Sequence, residues 1–309
     1  MEGKIDLFGE EQYYLKLIGF VVGAAILGFV CYIDDVKGIS SFVKLAAQII
    51  AAIIVVACGI RIEDITLPFL EDGKVVITGT ASYVLTVCWI VGITNAINLI
   101  DGLDGLSSGV TSISCLSLLI VFSLNESPLI AIVLITALAG GIVGFLPYNF
   151  SPAKTFIGDT GSNFMGFSLA IISILGVAKT YTALVLIAPI IILAMPIFDT
   201  LFAIIRRIIK GKSLKAVFKP DKGHLHHKLV AKGYTQKQAV LIMYGITAIL
   251  GMFAVILLDS GIWKAISFAL LVIAIIAIGR KDVAKLIDDD DEDDKPETKV
   301  DKNHIRKQV

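Results

Sequence analysis

Apolar residues in this chain come in long runs, with polar residues confined to the gaps between them. Nine runs can be marked, over residues 17–33, 43–60, 82–99, 107–124, 129–147, 163–178, 182–204, 239–258 and 261–279. A helix needs about 20 mostly apolar residues to cross the hydrocarbon of a bilayer. Helices and closed barrels are the structures that satisfy every backbone group there. The pattern predicts an all-α, polytopic integral membrane protein with about nine transmembrane helices. The run at 163–178 is short for a span and contains Gly166 and Gly176.

The polar residues that end these runs are not scattered. Asp34 and Asp35 follow the first run in CYIDDVKG, and Asn95, Asn98, Asp101 and Asp104 close the third in NAINLIDGLDGL. Asn149 and Asp159 lie in PYNFSPAKTFIGDTGSN, Asp199 in MPIFDTLF, and His224, His226 and His227 in GHLHHKL. An odd number of spans puts the termini on opposite sides. With the N-terminus outside, only Lys4, Lys16, Arg61, Lys74, Lys179 and Lys264 of the 27 basic residues stay outside. The positive-inside rule therefore selects an outer N-terminus and a cytoplasmic C-terminus. Every distinctive polar cluster then falls on the inner face. The outer loops EDITLPFLEDGK, LNESP and DSGIW carry ordinary charges and no comparable pattern.

The spacing of three in NAINLIDGLDGL bears on local structure. In a straight α-helix it drifts around the axis and sets Asp104 opposite Asn95. In a 3₁₀-like or broken end all four side chains could face one site. Gly102 and Gly105 are the residues that would let the helix end in this way.

Composition agrees with a membrane location. The chain is 56% hydrophobic over 309 residues, and its mean hydropathy is +0.84, more apolar surface than a soluble domain hides. Cys31, Cys58, Cys88 and Cys115 all fall inside apolar runs without CxxC spacing, which makes them packing residues. The acidic start MEGKIDLFGEEQYY does not resemble a signal peptide. Residues 1–16 are expected to form an extracytoplasmic N-terminus and 17–280 a membrane-embedded domain. The acidic tail 281–309 is expected to be disordered on the cytoplasmic side.

The inner face gathers these carboxylates and amides with Lys44, Lys154, Arg206, Arg207 and the three histidines. Carboxylates without a cation would repel one another, so the set implies a divalent ion, and oxygen ligands favour Mg²⁺ or Mn²⁺. Such an ion beside basic groups is the arrangement phosphoryl transfer needs. There is no GxxxxGK[ST] loop, which excludes a P-loop enzyme. Asp199, inside an apolar run, costs roughly 2.5–3.5 kcal/mol to insert, which favours a functional reading. A basic loop beside a membrane also attracts anionic lipid, and no nucleic-acid partner is expected.

The strings DDVKG, NAINLIDGLDGLSSG, YNFSPAKTFIGDTGS, PIFDT and HLHH, in this order, resemble the polyprenyl-phosphate N-acetylhexosamine-1-phosphate transferases over roughly residues 20 to 280. HLHH after a basic loop with an Arg pair looks like the N-acetylglucosamine-1-phosphate branch, whereas the phospho-muramoyl-pentapeptide branch usually carries three consecutive histidines. The resemblance implies a bacterial plasma-membrane enzyme with its site facing the cytoplasm. It would join UDP-N-acetylglucosamine to undecaprenyl phosphate with Mg²⁺, releasing UMP and starting a wall or surface polysaccharide such as a teichoic acid. It implies catalytic roles for Asp34, Asp35 and Asp159, with Asp34 deprotonating or positioning the lipid phosphate. Asp159, with Asp101, would hold the metal. Lys44, Asn98, Asp101, Asp104, Asn149, Arg206, Arg207, His224, His226 and His227 would bind substrate. A homodimer is a further expectation of the resemblance. Family members normally begin with two more membrane helices joined by a cytoplasmic loop, and MEGKIDLFGEEQYY does not match that pattern. An inactive paralogue that binds the lipid carrier or a partner enzyme therefore stands as an alternative, with a membrane transporter as a third class.

Overall fold

The structure, a computed structural model, describes residues 11–66, 74–77, 79–177, 183–211 and 223–273. Residues 11–261 build an antiparallel helical bundle of α1 (Glu11–Lys37), α2 (Ser41–Ala57), α3 (Thr80–Ile100), α4 (Leu106–Leu124), α5 (Leu129–Asn149), α6 (Gly158–Val177), α7 (Ala183–Ile192), α8 (Ala194–Gly211), α9 (Leu225–Ala231) and α10 (Gln236–Ser260). Between α2 and α3, strands β1 (Asp64–Thr66) and β2 (Lys74–Val76) pair antiparallel, with Asp64 opposite Val76. A separate unit, described by itself, holds the short apolar helix α11 (Ile262–Ile273). The acidic tail and the first ten residues lie outside the described residues.

Among the described residues, six helices are long and apolar enough to cross a membrane: α1, α3, α4, α5, α6 and α10. The chain is a multi-pass membrane protein. α2 and α11 are apolar but shorter. Local chemistry fixes several helix ends. Gly38, at φ +68°, follows α1, and the Ser40 hydroxyl accepts from the Val43 N–H to start α2. Thr235 and Gln238 form a capping box at the start of α10.

One expectation changes and one is met. The run at 182–204 is not one helix but α7 and α8, broken at Leu193. Pro196 has no N–H for the Ile192 carbonyl and its ring crowds that carbonyl, so the first helix stops and a new one starts. The short, glycine-containing run at 163–178 becomes α6, the most buried of the six long helices, packed against α1, α3, α4 and α5. Its glycine explains the packing. A Cβ at Gly166 would lie 2.8 Å from Thr94 Cα, so only glycine lets α6 approach α3 this closely. Phe167, Leu169 and Ile171 of α6 pack with Ile97 of α3 and Phe122 of α4 in the core.

Candidate active site

The polar residues converge at the bundle end formed by the C-termini of α1, α3 and α5 and the N-termini of α2, α4 and α6. Asp159 lies in the first turn of α6. Its Oδ2 accepts from Lys44 Nζ of α2 at 2.7 Å, and its Oδ1 accepts from Asn98 Nδ2 of α3 at 2.8 Å. Lys44 also pairs with Asp34 Oδ2 at 2.7 Å, while Asp34 Oδ1 accepts from the Ile39 N–H. Asp35, one residue on, turns to α6 instead. It accepts from the N–H groups of Asp159 (2.8 Å) and Thr160 (3.0 Å) and from the Thr160 hydroxyl (2.6 Å).

Beneath this first turn lies a ladder of amides. Gln48 donates to Asn163 Oδ1 at 2.8 Å and accepts from Asn95 at 2.6 Å, and Asn163 donates to the Asp159 carbonyl at 2.8 Å. Gln48 and Asn163 are buried. Their polar atoms are matched to one another, as burial requires.

The NAINLIDGLDGL stretch ends α3 at Ile100. The Asp101 N–H bonds back to the Asn98 carbonyl at 3.1 Å, a 3₁₀-type tightening of the last turn, and Gly105 takes φ +76°. Asn98, Asp101 and Asp104 reach the site, whereas Asn95 joins the buried ladder. Gly102 serves a different need from the one its position suggested. Its φ is not positive, and a Cβ there would run into His226 Nε2. Asp35, Asp101, Asp104, Asn149 and Asp159 line one cleft of about 400 Å³, with Gly102 at its wall. Asp101 Oδ1 accepts from Ser107 at 2.6 Å, and burial lifts its carboxyl to about 6. Asp104 accepts from the Ala153 N–H, and Asn149 accepts from Ser108 and donates to the Thr155 carbonyl.

The histidines pack behind that wall. Asp199 of α8 holds them: its Oδ2 pairs with His224 Nδ1 at 2.8 Å, and its Oδ1 accepts from the Leu225 N–H at the start of α9. Arg206 donates to the Gly223 carbonyl at 2.8 Å, fixing the approach to α9. His226 is buried, and both its ring nitrogens lack a hydrogen-bond partner among the described residues. Burial, then the neighbouring His227, pushes its pKa down to about 4, so the ring is neutral near pH 7. The His226 and His227 ring centroids are 4.1 Å apart. His224, His226, His227, Arg206 and Arg207 do not themselves line the cleft; Gly102 is the link between it and His226. Lys154 is exposed on the loop after α5.

Sequence reading missed Gln48, Ser107, Ser108, Thr160, Asn163 and Ser162, whose hydroxyl accepts from Asn98 Nδ2 at 2.9 Å. Gln48 carries the one usable signal, a polar side chain alone in the apolar run LAAQIIAA, which must find a partner inside a membrane bundle. Among the described residues, no three His, Cys, Asp or Glu side chains form a ready metal cage.

The fold is that of a multi-pass membrane protein with an acidic cleft at one end of its helices. Residues 17–177 match the profile of glycosyl transferase family 4, and the chain belongs to that family. It is 40% identical over 292 residues to a Bacillus subtilis protein described as a probable undecaprenyl-phosphate N-acetylglucosaminyl 1-phosphate transferase, covering 94% of this chain and 79% of the relative. A Mycobacterium leprae decaprenyl-phosphate N-acetylglucosaminephosphotransferase is 35% identical over 243 residues, covering 72% of this chain and 60% of the relative. A Bacillus thuringiensis phospho-N-acetylmuramoyl-pentapeptide-transferase is 32% identical over 266 residues, covering 84% of this chain and 78% of the relative.

Proposed function

We propose that the protein transfers N-acetylglucosamine-1-phosphate from UDP-N-acetylglucosamine to undecaprenyl phosphate at the cytoplasmic face of a bacterial plasma membrane, releasing UMP. The observation that carries this reading is the cleft in which Asp101, Asp104 and Asp159 converge beside Lys44. The names of the Bacillus and mycobacterial relatives support the donor and the polyprenyl acceptor.

The cleft residues fit a hard divalent cation. Four carboxylates (Asp35, Asp101, Asp104 and Asp159) line it, with no cationic side chain among the lining residues. Mg²⁺ commonly takes one or two carboxylates and completes its shell with water and substrate phosphate oxygens, so a full protein cage is not needed. Asp159 and Asp101 would hold it, and Mn²⁺ suits the same donors. When bound, the ion supplies charge neutralisation between the two phosphates.

The chain's own groups do the rest. Lys44 brings a fixed positive charge to the edge of the cleft, where two anionic substrates must meet. An oxygen of the lipid phosphate attacks the sugar-bound phosphorus, and a new P–O bond forms. The bond from that phosphorus to the UMP oxygen breaks, and UMP leaves with the electron pair. The lipid phosphate is already anionic near neutral pH, so orientation matters more than a strong base. Neutral His226 backs Gly102 between Asp101 and Asp104, and Asp199 orients His224 beside that ring.

Membranes containing the full chain, given undecaprenyl phosphate and UDP-N-acetylglucosamine, should release UMP only with Mg²⁺ or Mn²⁺. No UMP from well-folded protein would overturn the reading. Turnover of UDP-N-acetylmuramoyl-pentapeptide instead would move the chain to the other branch.

A further inference from the structure

One carboxylate at this site has surroundings that set it apart from the proposed metal ligands Asp159 and Asp101. Asp35 points its two oxygens at the first turn of α6, where Oδ1 accepts from the Asp159 N–H and Oδ2 from the Thr160 N–H and hydroxyl. These donors come from residues 124 and 125 positions away in the chain. They are groups that a helix start leaves without intrahelical partners, and a carboxylate there also meets the positive end of the helix dipole. Gly158 makes the approach possible, since a Cβ on it would lie 2.9 Å from Asp35 Oδ2. An oxygen that accepts two charge-assisted bonds is a poor proton acceptor for anything else.

We infer that Asp35, acting with Thr160, is a positioning residue: it caps α6 from α1 and so fixes the direction in which Asp159 faces Lys44 and Asn98. It takes no proton and holds no metal. Asp34, adjacent in sequence, bonds instead to Lys44 and the Ile39 N–H, so the pair divides its work between two helices. The inference rests on the phosphotransferase reading only for its kinetic consequence, because the clamp itself is a contact that can be measured without turnover.

The test uses Asp35→Asn and Thr160→Val in the full chain. Thr160→Val touches no carboxylate yet removes one of the three bonds. Both variants should lower kcat, by roughly 10–100-fold for Asp35→Asn and less for Thr160→Val, as small misplacements in an active site do. KM for both substrates should stay within about twofold, as expected when ground-state binding is untouched. The acidic limb of the pH–rate profile should stay in place. In parallel, hydrogen exchange at the Asp159 and Thr160 amides should quicken about tenfold, as loss of a bond to a charged acceptor predicts. Loss of the acidic limb in Asp35→Asn, with Thr160→Val at the wild-type rate, would make Asp35 a base and overturn the inference. Unchanged exchange in both variants would also overturn it. If the wild-type chain releases no UMP, the proposed function falls while the exchange measurement still decides the clamp.

Discussion

Asp159 is the residue on which the most structure converges, with Lys44, Asn98 and Asn163 all bonded to it and Asp35 bonded to its backbone. Asp159→Asn keeps the size of the side chain but removes its charge. It should retain the fold, judged by its melting temperature, and lose at least about 10³-fold in UMP release, the scale of a removed electrostatic contact in a transition state. Gly102→Ala should also lose activity, because the added methyl meets the His226 ring and moves the loop between Asp101 and Asp104. Overpacking of this kind costs about 1–3 kcal/mol of stability, measurable by thermal shift. His226 gives the pH dependence a sign. Its pKa is about 4 in the folded chain against 6.5 ordinarily. Between those values the unfolded chain binds a proton and the folded chain does not. This group's contribution to stability is therefore fully present above about 6.5 and is lost as pH falls towards 4. Melting temperatures measured across that window should fall less in His226→Gln than in the wild type.

At the scale of elements, the contacts of α8 with the start of α9 and the first turn of α6 shape the site. Asp199 both pairs with His224 and caps α9, so Asp199→Ala removes two contacts at once. Loss of the cap alone costs about 1 kcal/mol, and α9 should show faster hydrogen exchange with α10 unaffected. Much of this architecture was legible in the residues. The apolar runs mark helices because backbone groups in lipid have few other solutions, and clusters at the ends of those runs, such as DDVKG and IDGLDG, come together at one end of the bundle. What was not legible depends on distant partners. Nothing near Gln48 in sequence announces Asn163, 115 positions away. Asp34 and Asp35 look alike until helix packing sends one to Lys44 and the other to α6. The break at Leu193 depends on Pro196 inside a run whose hydropathy looks continuous, and the β1–β2 pair sits in a loop with no strand-length pattern.

For the whole molecule, the alternation of helices places the α5–α6 loop at the cleft end and the α4–α5 loop at the other. If the cleft faces the cytoplasm, as proposed above, the Lys154→Cys variant should resist a membrane-impermeant thiol reagent in intact cells, and Glu126→Cys should react. The reverse labelling would invert the topology. A last consequence concerns α6. It has the lowest mean hydropathy of the six long apolar helices, 1.5, and 78% of its most apolar window is buried by protein. In the folded bundle it is surrounded more by protein than by lipid. Helices α1, α3, α4 and α5 all precede it in the chain and together form its surroundings. They supply most of its surroundings in the folded bundle, so the segment that carries Asp159 is solvated chiefly by helices made before it.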